Sequence, residues 1–151
     1  MKRFRFPLKP VAALRAHQEV RAREAFATAV HQYVQAEEEL ARTRVRMGAL
    51  EAALFTAREK PYRAAEAAQL LADYRRECDA EVQTERGVIV AREAMQQRRD
   101  DYIAAHRKLE IVERLETKAR TAYRRECDRE EQAEFDDFAG RRRLNALTPA
   151  Q

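Results

Sequence analysis

Three histidines, two cysteines and several runs of carboxylates are the side chains here with catalytic or metal-binding chemistry. His17, His31 and His106 are scattered, with none of the close i,i+4 or His-x-His spacing that gathers ligands around one ion. Cys78 and Cys127 stand 49 residues apart, and neither belongs to a Cys-x-x-Cys pair. Glu37, Glu38, Glu39, Glu130 and Glu131 sit in polar runs, which read as solvated helix faces rather than an acid–base pair. No glycine-rich phosphate loop and no His-Glu-x-x-His run occurs. The expectation is a non-enzyme with no catalytic residue, no metal site and no cofactor.

The elements that would have to position any site are long helices. The chain has 151 residues, 37% of them charged, with three Gly, four Pro and no Trp. Turns need Gly, Pro, Asn and Asp, whereas Ala, Glu, Arg, Gln and Leu favour helix. In the first half, Phe26, Tyr33, Leu40, Met47 and Leu54 recur every seventh residue. Ala29, Ala36, Leu50 and Ala57 follow four of them three places on, with Thr43 as the polar exception. In the second half Val88, Met95, Tyr102 and Leu109 repeat the large series, and Ala91, Ala105, Val112 and Ala119 the small one. A seven-residue repeat keeps one seam of a helix against a partner helix, the coiled-coil condition.

Glu59, Lys60, Pro61, Tyr62 and Arg63 make the one convincing break, because proline disfavours helix before it and starts helix after it. A short connection makes the two helices antiparallel neighbours. The expected fold is all-α: a long antiparallel two-helix coiled coil, a helical hairpin with helix two overhanging helix one. Residues 1–10 form a basic arm, 11–140 the coiled coil and 141–151 a flexible tail. Within the coil, helix one covers about 11–58, the turn 59–63 and helix two 64–140. Helix one starts at Val11 because Pro7 and Pro10 precede it, and helix two stops at Gly140.

With the turn centred near 60–61, position n lies opposite roughly 121 − n. Phe26 then faces the region of Met95, and helix one is exhausted near residue 110. About thirty residues of helix two, roughly 45 Å, are left without an intramolecular partner. They still carry Val112, Leu115, Ala119, Tyr123 and Cys127 on one face, then Phe135 and Phe138. Apolar residues on an unpaired helix call for a partner. The arm, with Phe4, Phe6 and Leu8 alternating, has two readings: a terminus folded back on the helices, or a partner contact. The hexapeptide from Tyr74 to Asp79 recurs from Tyr123 to Asp128, seven heptads on, as repeated contact chemistry, an old duplication or chance.

Bulk charge narrows the partner classes. The net charge of +4 comes from 30 basic and 26 acidic residues, mostly interspersed. A nucleic-acid surface would be more lopsided. No run approaches the ~20 apolar residues of a membrane span, and the N-terminus has no signal-peptide core. Residues 1–18 lack acids, as transit peptides do, but Pro7 and Pro10 break any amphipathic helix there. Two lone thiols, too far apart on one helix to be joined, point to a reducing cytoplasm.

The two ends of the chain resemble a known family. Phe4, Arg5, Phe6, Pro7, Leu8, Val11, Leu14, Arg15, Gln18 and Glu19 look like the start of the flagellar export protein FliJ family. Lys108 to Glu110, Glu113 to Leu115, Tyr123 to Arg125, Glu131, Gln132 and Phe135 to Ala139 are similar to its C-terminal signature. Two departures occur: Ala133 stands where that family has lysine, and Asp137 where it has glutamate. The resemblance implies a stalk-like coiled coil of the flagellar type III export apparatus. Such a stalk inserts into the hexameric export ATPase (FliI-like), promotes its assembly and turnover, and contacts the export gate protein (FlhA-like) and export chaperones. It also implies a cytoplasmic protein, reaching the inner-membrane export apparatus only through these partners. The residues it assigns to the ATPase-facing end are Phe4, Phe6, Arg15, Gln132, Phe135, Asp136 and Phe138. The competing readings are a related injectisome (YscO-like) stalk, a generic or self-dimerising coiled-coil adaptor, and, least favoured, a nucleic-acid binder.

Overall fold

The computed structural model describes residues 3–58 and 63–147, with side chains described as far as Arg141. It is all-α, with no strand among the described residues: α1 runs Lys9–Ala57 and α2 Ala64–Leu147. The two helices pack antiparallel as a hairpin. The chain divides into two units, one of residues 19–105 and one of residues 1–18 with 106–151.

In the unit of residues 19–105 the large series of both helices, Phe26 to Leu54 and Val88 to Tyr102, is half-buried throughout. The small series lies between them, with Ala29 and Thr43 buried. Two helices alone cannot enclose a side chain on every side, so partial burial is what this architecture yields. Thr43, fully buried, is the polar member of the seam. Its hydroxyl donates to the Glu39 carbonyl oxygen at 3.0 Å and accepts from an Arg46 guanidinium nitrogen at 3.0 Å. Both roles of the hydroxyl are therefore filled, which removes the desolvation cost of burying it.

The register differs from the expected one. Phe26 stacks on Tyr102, with centroids 6.2 Å apart and planes 9° from parallel, rather than facing Met95. Tyr102 is one heptad beyond Met95, so the seam faces are the expected ones and only the pairing along them has moved. Charge explains the choice. Arg44 reaches Glu81 at 2.8 Å and Glu85 at 2.7 Å, and Arg46 reaches Glu77 at 3.1 Å. A slip of seven residues would set Arg44 against Tyr74 and Cys78 one way, or Val88 and Arg92 the other. A heptad repeat leaves those slips equal in apolar burial; the ion pairs make them unequal.

The helix ends differ from expectation in two places, the start of α1 and the end of α2. α1 begins at Lys9, not Val11, because Pro10 occupies the first turn, where its missing N–H has no intrahelical acceptor to lose. The start is closed by Lys9 N–H donating to the Phe6 carbonyl (3.3 Å) and Ala12 N–H to that of Leu8 (2.9 Å). α1 ends at Ala57, with Arg58 N–H donating to the Phe55 carbonyl at 3.2 Å. The Arg63 carbonyl opens α2 by accepting from Glu66 and Ala67, and the Glu66 carboxylate lies in the first turn, where the helix dipole favours it. Of the expected turn, residues 59–62 lie outside the described residues. α2 does not stop at Gly140 but continues to Leu147. A glycine terminates a helix by adopting positive φ, and no described glycine does so. Of the expected tail, 141–147 is helix and 148–151 lies outside the described residues.

The other unit corrects the expectation that helix two loses its intramolecular partner near residue 110. The arm supplies one. The Phe4 ring lies 5.4 Å from that of Tyr123, the Arg120 guanidinium sits 5.7 Å over Phe4, and both Phe6 and Val112 are buried. Aromatic pairing and a cation over a ring face each add roughly 0.5–1.5 kcal/mol to simple burial. Folding back is thus what the arm does with its aromatics, and the exposed part of α2 begins later, at Asp128.

Candidate partner-binding surface

From Asp128 to Arg141 every described side chain of α2 is exposed, including Phe135 at 69% and Phe138 at 61%. At about 100° per residue, Phe135 lies roughly 120° around the helix from Tyr123 and Phe138 roughly 60°. The seam itself continues through Glu126, Glu130, Ala133, Asp137 and Gly140, which are acidic or small. The coiled-coil pattern therefore ends near Tyr123, and the two phenylalanines begin a different face. A helix in the same register would cover carboxylates and leave both rings in water. Pockets for two rings spaced i,i+3 would cover them.

Beside this pair, Gln132 donates from Nε2 to Asp136 Oδ1 at 3.1 Å, one turn apart. Glu130, Glu131, Glu134, Asp136 and Asp137 give the surround a negative field, so the complementary surface is apolar pockets ringed by cations or backbone N–H groups. Gln132, Phe135, Asp136 and Phe138 thus form one contiguous stretch. Phe4 is turned instead against Tyr123 and Arg120 of α2, and Phe6 is buried. Arg15 is half-buried and donates to Gln18 Oε1 at 2.9 Å within α1. These three belong to the same unit, but their chemistry is spent inside it.

The repeated hexapeptide acquires a structural meaning. Each tyrosine occupies the large series, and each pairs with the cysteine one turn on. Tyr74 Oη donates to Glu51 Oε1 of α1 at 2.9 Å; the Glu51 carboxylate, then the Cys78 thiol, push its pKa up to about 12. Tyr123 is raised chiefly by Cys127, and its ring meets that of Phe4. The seven-heptad offset was the sequence signal for this shared placement; the different partners had none. A raised phenol pKa means the folded state keeps a proton that the unfolded state releases near pH 10. Its stabilisation is therefore complete below about pH 10 and is lost as pH rises through about 12. An alkaline titration of tyrosinate absorbance is expected to show a late-ionising fraction that shrinks in Tyr74→Phe. If the late fraction is the same in the variant, the Glu51 contact does not persist in solution.

Among the described residues no group of His, Cys, Asp and Glu is placed to hold a metal ion, and no described helix is long and apolar enough to cross a membrane. Two concavities lie along the helices: one beside the arm, one in unit 19–105 at Arg46, Leu50 and Glu77.

Comparison with known families decides the class. Residues 4–147 match the family described as Flagellar FliJ protein. The chain belongs to that family. No curated protein and no solved structure matches it. The FliJ match takes in both ends that carried the resemblance, the arm from Phe4 and the stretch holding Phe135 and Phe138. As a FliJ family member the chain is associated with flagellar protein export, in a family of non-catalytic components.

Proposed function

We propose that this protein is the stalk-like coiled coil of the flagellar export apparatus. Its exposed α2 end enters the hexameric export ATPase and promotes assembly and turnover of that ring. The hairpin links the ring to the export gate protein and to export chaperones. It works without catalysis of its own, in the cytoplasm, and reaches the membrane only through those partners. The observation that carries the reading is the off-seam pair Phe135 and Phe138 on a continuous helix. A stalk needs an end with apolar contacts for its socket and a coiled coil stiff enough to hold that end in place. The flagellar family favours this machine over the injectisome.

The deciding experiment measures ATP hydrolysis by the purified export ATPase with and without this protein. Stimulation is expected, and it is expected to vanish when residues 128–151 are removed while the arm and its α2 contact are retained. Binding and stimulation unchanged by that deletion would move the working surface elsewhere. No binding at all, with the hairpin folded, would leave a generic adaptor.

A further inference from the structure

We infer that the outer side of the N-terminal arm is a second docking site, which takes an acidic, extended segment of a partner protein. The two faces of the arm have opposite chemistry. Phe4 and Phe6 turn inward, and Arg3 and Arg5 are exposed, the period-two alternation of an extended chain. The inward rings anchor the arm on α2, so the outward guanidinium groups are held rather than left on a loose terminus. Holding them in advance lowers the ordering cost of binding.

Charge complementarity names the occupant. No acid occurs before Glu19 in the sequence. Arg3, Arg5 and Lys9 make no ion pair among the described residues, and they rim an open groove against Glu116 and Arg120 of α2. Glu116 is already neutralised by Arg120 at 3.0 Å, so the groove presents its cations without an internal counter-charge. Backbone geometry favours a peptide over other anions. Among the described residues, the N–H and C=O groups of Arg3, Phe4 and Arg5 enter no backbone hydrogen bond, which leaves an extended edge open for strand addition. A peptide with alternating carboxylates would pair its backbone with that edge and its acids with Arg3 and Arg5. A lipid surface gains nothing from the backbone edge and finds the arm's aromatics turned away from it.

The test uses the full chain and a fluorescent octapeptide of alternating Glu and Val, with its Gln and Val counterpart as control, read by anisotropy. The acidic peptide is expected to bind at least tenfold more tightly, with affinity falling as salt rises. The double variant Arg3→Glu with Arg5→Glu is expected to lose at least tenfold. Arg86→Glu with Arg99→Glu, the same charge change elsewhere, is expected to lose less than threefold. Phe4→Ala, which frees the arm but keeps its cations, is expected to weaken binding severalfold while helical content is kept. Equal binding of the two peptides, or equal losses in both charge-reversed variants, would overturn the inference. So would tighter binding to vesicles containing anionic lipid or to a single-stranded oligonucleotide. A sedimenting dimer that only the arm reversal dissociates, with no peptide bound, would assign the arm to a second copy instead. Because the 128–151 region is intact in every variant, ATPase stimulation reports separately on the proposed stalk function.

Discussion

Replacing Phe135 and Phe138 together by alanine is expected to abolish stimulation of the export ATPase and to weaken binding more than tenfold. Thermal stability should change by no more than about 1 °C. The two halves of this expectation have separate causes. Both rings are largely exposed in the isolated chain, so removing them costs little burial in the folded state. In a socket, aromatic anchors are the residues whose truncation typically costs 2 kcal/mol or more each, and every 1.4 kcal/mol is a factor of ten. Calorimetry and a binding isotherm on the same preparation separate the two. A fall in melting temperature of several degrees would instead make the rings part of the fold. Normal stimulation by the double variant would remove them from the working surface, whatever their exposure.

Phe26→Ala is expected to have the largest effect on stability, about 2–3 kcal/mol, or roughly 5–10 °C in melting temperature. A fully buried phenylalanine would cost more; this ring is half-buried and its partner Tyr102 is held by only one other helix. The loss includes the stacked geometry as well as the buried area. Denaturant titration followed by helical ellipticity measures it. Phe55→Ala, an exposed ring on the same helix, serves as the comparison and is expected to cost under about 0.5 kcal/mol. Equal losses in the two variants would mean that the Phe26–Tyr102 layer contributes nothing beyond helix propensity.

The seven-residue series from Phe26 to Leu54 and from Val88 to Leu109 carried the seam, and the short break at residues 59–63 carried the helix count and the antiparallel pairing, without reference to coordinates. A repeat of that kind is local information: it depends on which residues share a face, and a single helix already specifies that. The exposed stretch with Phe135 and Phe138 was legible from helix length, because the break at 59–63 leaves helix one too short to cover it, although it begins at Asp128 rather than just after residue 110. The family resemblance rested on side chains at the two ends of the chain.

Three features were decided only in the folded chain. Pairing along the seam was one, since a heptad repeat is degenerate to slips of seven, and Arg44 between Glu81 and Glu85 breaks the degeneracy across 37 and 41 residues of sequence. The helix stop was another: Gly140 permits a left-handed turn but does not require one, and α2 runs on to Leu147. The third was the arm. Alternating Phe4, Arg5 and Phe6 fit either a folded-back segment or a partner contact, because the pattern says that one side is apolar and not what covers it. Tyr123, more than a hundred residues away, decides between them by offering a ring to Phe4. Local periodicity thus determined the helices and their faces. Which face meets which residue is a long-range energy difference, and only the tertiary structure contains it.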